Sequence, residues 1–129
     1  MRRSLVYIVD DDDAIREVVG AVLAEFGYEA RGYKNGREAV DALANDERPN
    51  LILLDWMMPV MNGAEFVRQN EVQEIPVVVI SAVADRIGEV PEVRERAIKP
   101  IDIFDLVRIV DRYCLATTAA TPEPRSTAV

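Results

Sequence analysis

Three short aliphatic runs and one minimal strand in this 129-residue chain each end on polar side chains of a particular kind. Asp10 and Asp11 follow Leu5 to Val9, Asp55 follows Leu51 to Leu54, Ser81 follows Val77 to Ile80, and Lys99 follows Arg96 to Ile98. Carboxylates gathered at one place repel each other and raise one another's pKa unless a cation compensates. The chain has no histidine and one cysteine, Cys114, so the donors at hand are oxygens, which a hard divalent ion prefers. Two or three carboxylates with several retained waters suit Mg²⁺ better than a dedicated Ca²⁺ cage. Lys99 adds a fixed second positive charge. A carboxylate held between such cations is a competent nucleophile toward phosphorus, because they neutralise the oxygens of a transferring phosphoryl group. Asp55 is the candidate acceptor. Ser81 offers a hydroxyl that can donate to a phosphoryl oxygen and turn the chemical event into a movement of the following loop.

This chemistry requires elements that bring the four run ends together. Leu5 to Val9, Leu51 to Leu54 and Val77 to Ile80 read as strands buried on both faces, being short, apolar and rich in β-branched residues. Glu29 to Gly32 and Arg96 to Ile98 read as weaker, minimal strands. Between them, Ile15, Val18, Val19, Val22, Leu23 and Phe26 keep helical spacing, with Asp13 as N-cap and Gly27 as the stop. Further helices are expected over Asn35 to Asn45, over Gly63 to Asn70, and along the face marked by Ile103, Leu106, Val107, Val110 and Cys114. Gly88 and Pro91 interrupt residues 84 to 95, so at most one or two helical turns are expected there. Alternating apolar runs and amphipathic helices imply a doubly wound, five-stranded parallel α/β sheet with helices on both faces. The functional crevice of such a sheet lies beyond the carboxyl ends of its strands, where the polar residues above fall.

Composition narrows the function classes. The length fits one domain whose core needs no metal or disulfide staple. A net charge of −8, with no cluster of Lys and Arg, argues against a nucleic-acid or anionic-membrane surface. A lone cysteine makes no internal disulfide, and the absence of histidine removes imidazole acid-base chemistry. Met1-Arg2-Arg3 before an apolar run resembles a signal peptide, but the aspartates from Asp10 onward end that run too early, so a cytoplasmic location is expected. Ile75 to Ala84 contains Pro76 and is about half the length of a membrane span. Residues 1–115 are therefore read as the domain and residues 116–129, rich in Ala, Thr and Pro, as a disordered tail.

The sequence Val9-Asp10-Asp11-Asp12, the run Leu53-Leu54-Asp55-Trp56-Met57-Met58-Pro59-Val60-Met61-Asn62-Gly63, Ile80-Ser81-Ala82 and Lys99-Pro100 together resemble the receiver domains of bacterial two-component response regulators, over about residues 4 to 115. The resemblance implies the strand order 2-1-3-4-5. It also implies that Asp55 is phosphorylated, that Asp10 and Asp11 hold Mg²⁺ with the main-chain carbonyl of Met57, and that Ser81 is the switch hydroxyl. Ala82 then leaves room for the phosphodonor, Lys99 pairs with the phosphate, and the bond to Pro100 is cis. Pro59 and Gly63 shape the loop after Asp55. Phosphoryl groups would come from a histidine kinase or a histidine phosphotransfer protein, the effect would pass to a downstream protein target, and the chain would be a monomer or a weak homodimer without a DNA-binding output domain.

Two features depart from the family pattern. Three residues before Lys99 the family usually carries Tyr or Phe, and this chain has Arg96, an atypical switch position that also reads as a strand-end charge paired with Glu92 or Glu95. The stretch from Ser81 to Lys99 is short, so the fourth helix is expected to be shortened or irregular and the face beside it remodelled. Trp56, Met57, Met58 and Met61 read as packing that anchors the loop, while Met57 and Val83 also flank the site where water access would set the phosphoryl lifetime. A phosphohydrolase of the haloacid-dehalogenase type would need a second aspartate two residues after the nucleophile, where this chain has Met57, so an enzyme is not expected. A phosphorylation-independent interaction module on the same fold remains the alternative.

Overall fold

The computed structural model describes residues 4–82, 88 and 90–117. Its elements are β1 (Leu5–Val9), α1 (Asp13–Glu25), β2 (Glu29–Tyr33), α2 (Gly36–Asn45), β3 (Leu51–Leu54), α3 (Gly63–Val67), β4 (Val77–Ser81), β5 (Val93–Ile98) and α4 (Ile103–Thr117), with a 3₁₀ turn at Asn70–Val72. The sheet is parallel throughout and ordered β2-β1-β3-β4-β5, as expected. Alternate side chains divide the core. Tyr7, Val9, Ile52, Leu54, Val77 and Val79 meet Ala39 and Leu43 of α2 and Phe66 of α3 on one face. Val6, Ile8, Leu51, Leu53 and Val78 meet Leu23 of α1 and Leu106, Val110 and Cys114 of α4 on the other. Burial on both faces accounts for the unbroken apolar runs of β1 and β3.

Local chemistry sets the element ends, and several differ from the sequence expectation. Asp12, not Asp13, caps α1: its backbone is extended (φ −90°, ψ 112°) and its carboxylate accepts from the amides of Ala14 (2.9 Å) and Ile15 (3.2 Å). Gly27 supplies the stop, with φ +93°. Asn35 caps α2 and Asp102 caps α4, each through a side-chain oxygen. The third helix ends at Val67, short of the expected Asn70, and the chain then tightens into the 3₁₀ turn. β5 begins at Val93, three residues earlier than expected, and carries a register shift at Arg94, between the pairs Val77–Val93 and Val78–Glu95. Strand pairing at Val93 to Glu95 overrides the helical turns expected up to residue 95. Residues 83–87 and 89, on which the rest of the fourth-helix expectation falls, lie outside the described residues. α4 runs on to Thr117, two residues past the expected domain end, and the remainder of the proposed tail also lies outside them.

The loop after β3 is built on close packing. Asn62 and Glu65 cap α3 reciprocally, and the Gly63 amide donates to the Trp56 carbonyl at 3.1 Å. A Cβ on Gly63 would lie 2.3 Å from the Trp56 ring, so only glycine lets the indole cover the start of α3. Gly63→Ala is therefore expected to cost about 1–3 kcal/mol through overpacking and to shift the emission of Trp56, the chain's one tryptophan. Chemical denaturation followed by fluorescence checks this. Unchanged stability and spectrum would show that the indole sits elsewhere.

Candidate functional site

Register alone brings the polar run ends together. Val9 pairs with Leu54, which sets Asp10 beside Asp55, and Ser81 pairs with Ile98, which sets it beside Lys99. Backbone bonds continue one step past each strand: Asp55 N–H donates to Val9 O (2.8 Å), Asp10 N–H to Tyr33 O (3.1 Å) and Lys99 N–H to Ser81 O (3.1 Å). Asp10, Asp55 and Ser81 are the buried polar residues of this edge, whereas Asp11 is exposed. Ala82 follows in an exposed turn, and the Lys99–Pro100 bond is cis.

Lys99 Nζ lies 3.0 Å from Asp10 Oδ2 and 3.8 Å from Asp55 Oδ1, so the ammonium bridges two buried carboxylates. Asp10 Oδ1 accepts from the Asp12 amide at 2.9 Å, and the Met57 amide donates to the Asp55 carboxylate. Carboxylate oxygens of Asp10, Asp11 and Asp55 lie within 4.8 Å of one another, a spacing at which one cation can touch all three. Burial, then the neighbouring Asp10 charge, pushes the Asp55 carboxyl up to about 6; Lys99 and the Met57 amide act against this. Three carboxylates against one ammonium leave a negative excess that a divalent ion would offset, and all-oxygen donors fit Mg²⁺. A groove of about 500 Å³ runs from Asp10, Asp55 and Lys99 between α1 and α4, lined chiefly by aliphatic side chains.

The departures resolve unevenly. Arg96 is exposed and donates to the carbonyl of Gly88, not to Glu92 or Glu95. Glu95 instead takes Arg112 and the Tyr113 hydroxyl, because both lie on α4 across the face that Glu95 points to. Met58 and Met61 are buried and Trp56 is half-buried, as loop anchors should be, but Met57, expected among the anchors, instead stands 64 % exposed beside the site. Val83 lies outside the described residues. Sequence reasoning overlooked Arg16, whose Nη1 donates to the Asp10 carbonyl at 2.6 Å. Arg16 falls outside the apolar spacing that marks α1, and no local signal pairs it with a residue of the preceding strand end.

Comparison with known proteins fits this geometry. A family model described as the response regulator receiver domain matches residues 6–110. The DNA-binding transcriptional regulator NtrC of Escherichia coli is 34% identical over 118 residues, covering 87% of this chain and 25% of that protein. The response regulator MprA of Mycolicibacterium vanbaalenii is 39% identical over 79 residues, covering 60% of this chain and 34% of that protein. The chain thus spans about a quarter to a third of the length of these relatives. Chemotaxis protein CheY4 of Vibrio cholerae superposes with a TM-score of 0.73 at 27% identity, covering 87% of this chain and 99% of that one. The receiver domain of a Pseudomonas aeruginosa sensor histidine kinase, solved with a magnesium ion coordinated in its active site cleft, shares the fold with a TM-score of 0.75 at 24% identity, over 88% of this chain and 98% of that one. With its sheet order, its acidic edge and a family match across nearly all the described residues, this chain belongs to the response regulator receiver domain family.

Proposed function

We propose that this receiver accepts a phosphoryl group on Asp55 in a Mg²⁺-dependent reaction, taking it from a histidine kinase or a histidine phosphotransfer protein. The observation that carries the reading is the contact of Lys99 with both Asp10 and Asp55 at an edge where three carboxylates converge. An Asp55 oxygen attacks phosphorus, the bond from phosphorus to the donor's imidazole nitrogen breaks, and the imidazole leaves with its electron pair. Asp10, Asp11, Asp55 and the Met57 carbonyl would hold the Mg²⁺, which when bound would neutralise charge on the phosphoryl oxygens. Lys99 neutralises them from the other side. Ser81, at the end of β4, donates its hydroxyl to a phosphoryl oxygen, and the exposed Ala82 leaves the donor room to approach. Slow hydrolysis returns the carboxylate, and water access past the exposed Met57 bears on that rate.

The setting is the cytoplasm, with a protein target downstream and the domain acting as a monomer or weak homodimer. No helix among the described residues is long and apolar enough to cross a membrane. A second reading, binding to a partner without phosphorylation, draws on one observation: Arg96, where the family usually has an aromatic switch, is tied to the Gly88 carbonyl. Partner binding unchanged by Asp55→Asn would favour it.

Intact mass after incubation with Mg²⁺ and acetyl phosphate tests the main reading. One added phosphoryl group, lost with EDTA and in Asp55→Asn, is expected. An adduct that persists in Asp55→Asn would place the acceptor elsewhere.

The raised Asp55 pKa gives a second prediction. Folding lifts this carboxyl from about 3.8 to about 6, so between those values the native state holds a proton that the unfolded chain has released. Stability from this group is therefore present below pH 4 and falls as pH rises through 6. Without metal, Asp55→Asn should stabilise the protein by about 1–2 kcal/mol at pH 7.5 and by little at pH 4. Added Mg²⁺ should raise the melting temperature of the parent protein at pH 7.5 more than that of the variant. A variant effect independent of pH would refute the electrostatic account.

A further inference from the structure

Arg16 lies one turn inside α1, yet its side chain is directed back to the end of β1. Nη1 donates to the Asp10 carbonyl at 2.6 Å, and Nη2 engages the Asp13 carboxylate. The side chain is only 19 % exposed. Its aliphatic part passes over Gly32 of β2, where a Cβ would lie 3.1 Å from Arg16 Cδ, so the strand offers no side chain along that path. The Asp10 carbonyl belongs to the peptide that joins Asp10 to Asp11. That peptide leads into the Asp12 cap, and its own residue Asp10 is held at three further points: its amide by Tyr33 O, Oδ1 by the Asp12 amide and Oδ2 by Lys99. Asp11 differs. It is exposed, and its carboxylate lies within 4.8 Å of those of Asp10 and Asp55.

We infer that Arg16 is a positioning residue for the acidic pair: by fixing the peptide between Asp10 and Asp11, it holds the exposed Asp11 carboxylate within reach of Asp10 and Asp55 and so sets the affinity of the site for Mg²⁺. The inference rests on the reading of this edge as a Mg²⁺-assisted phosphoacceptor site. Groups that orient a metal ligand without touching the ion commonly matter about 10-fold or more in affinity. The sign separates this role from a purely electrostatic one. A guanidinium near the acidic cluster repels a cation, so if charge alone mattered, removing Arg16 would tighten Mg²⁺ binding. Positioning predicts weaker binding.

The experiment titrates Mg²⁺ against Trp56 fluorescence in the parent protein, Arg16→Met, Arg16→Lys and Gly32→Val. It also measures hydrogen exchange of the Asp11 to Asp13 amides without metal. The expected results are a roughly 10-fold loss of Mg²⁺ affinity in Arg16→Met and partial rescue in Arg16→Lys, whose single ammonium can reach the carbonyl. Gly32→Val keeps the arginine but blocks its path, so a loss in the same direction is expected. Exchange at the three amides should quicken without a matching change in the strand cores. Unchanged or tighter Mg²⁺ binding in Arg16→Met would overturn the inference, as would unchanged exchange at these amides. If the parent protein itself took no Mg²⁺, the phosphoacceptor reading would fail on that result alone, and the exchange data would still decide whether Arg16 holds the turn.

Discussion

Placing Asp10 and Asp55 side by side, buried, at one edge of a parallel sheet is the constraint on which the rest of this molecule turns. Two like charges out of water are unfavourable, and the rise of the Asp55 pKa registers that cost. Lys99 offsets part of it from a third strand, reaching both carboxylates from the end of β5. The site is therefore under electrostatic tension that a bound cation or a change in the charge on Asp55 would relieve. A site poised in this way can couple chemistry to shape, because the groups that hold the tension also end the strands from which the loops depart.

The surrounding elements act as supports for this arrangement. Parallel pairing spaces the strand ends by their hydrogen bonds, so the carboxylates meet without any single loop having to bring them together. Aromatic packing closes the other side, where Trp56 covers Gly63 and the capping box of Asn62 and Glu65 begins α3. Val60 in this same loop adopts φ +70°, which a β-branched residue rarely does, inside a tight turn closed by the Met61 amide donating to the Pro59 carbonyl at 2.7 Å. The far ends of the elements are tied independently: the Tyr28 hydroxyl donates to Asp111 of α4, and the Tyr7 hydroxyl donates to the Glu47 carbonyl. Burial pushes the Cys114 thiol up to about 11, so this cysteine is an inert part of the core.

β5 forms one edge of the sheet. Arg94, Arg96 and Ile98 are exposed on the edge strand, and charged side chains there discourage edge-to-edge pairing with another sheet. Arg96 spends its guanidinium on the Gly88 carbonyl, a contact that an aromatic side chain at the same position would not make.

Much of the fold and the candidate site was legible in the sequence. The aliphatic runs ending on Asp10, Asp55 and Ser81 announced buried parallel strands, because only a sheet covered on both faces tolerates unbroken apolar stretches, while the strand before Lys99 was faint in the sequence and proved to be an edge strand. Helical spacing located α1, α2 and α4, while boundaries were less legible: Asp12 displaced Asp13 as cap, and Val93 to Glu95 joined β5. Strand pairing between β4 and β5 decided the latter, and pairing depends on a neighbour brought in by tertiary structure. Residue types and their strand-end positions determined the chemistry, since carboxylates, a hydroxyl and an ammonium keep their character wherever they are placed. Which oxygen Lys99 approaches, how far Asp55 is desolvated, and that Arg16 reaches back to the Asp10 carbonyl were decided only by the tertiary structure. Those are matters of distance and dielectric between groups far apart in the chain or on different elements, and a linear pattern of residues carries neither.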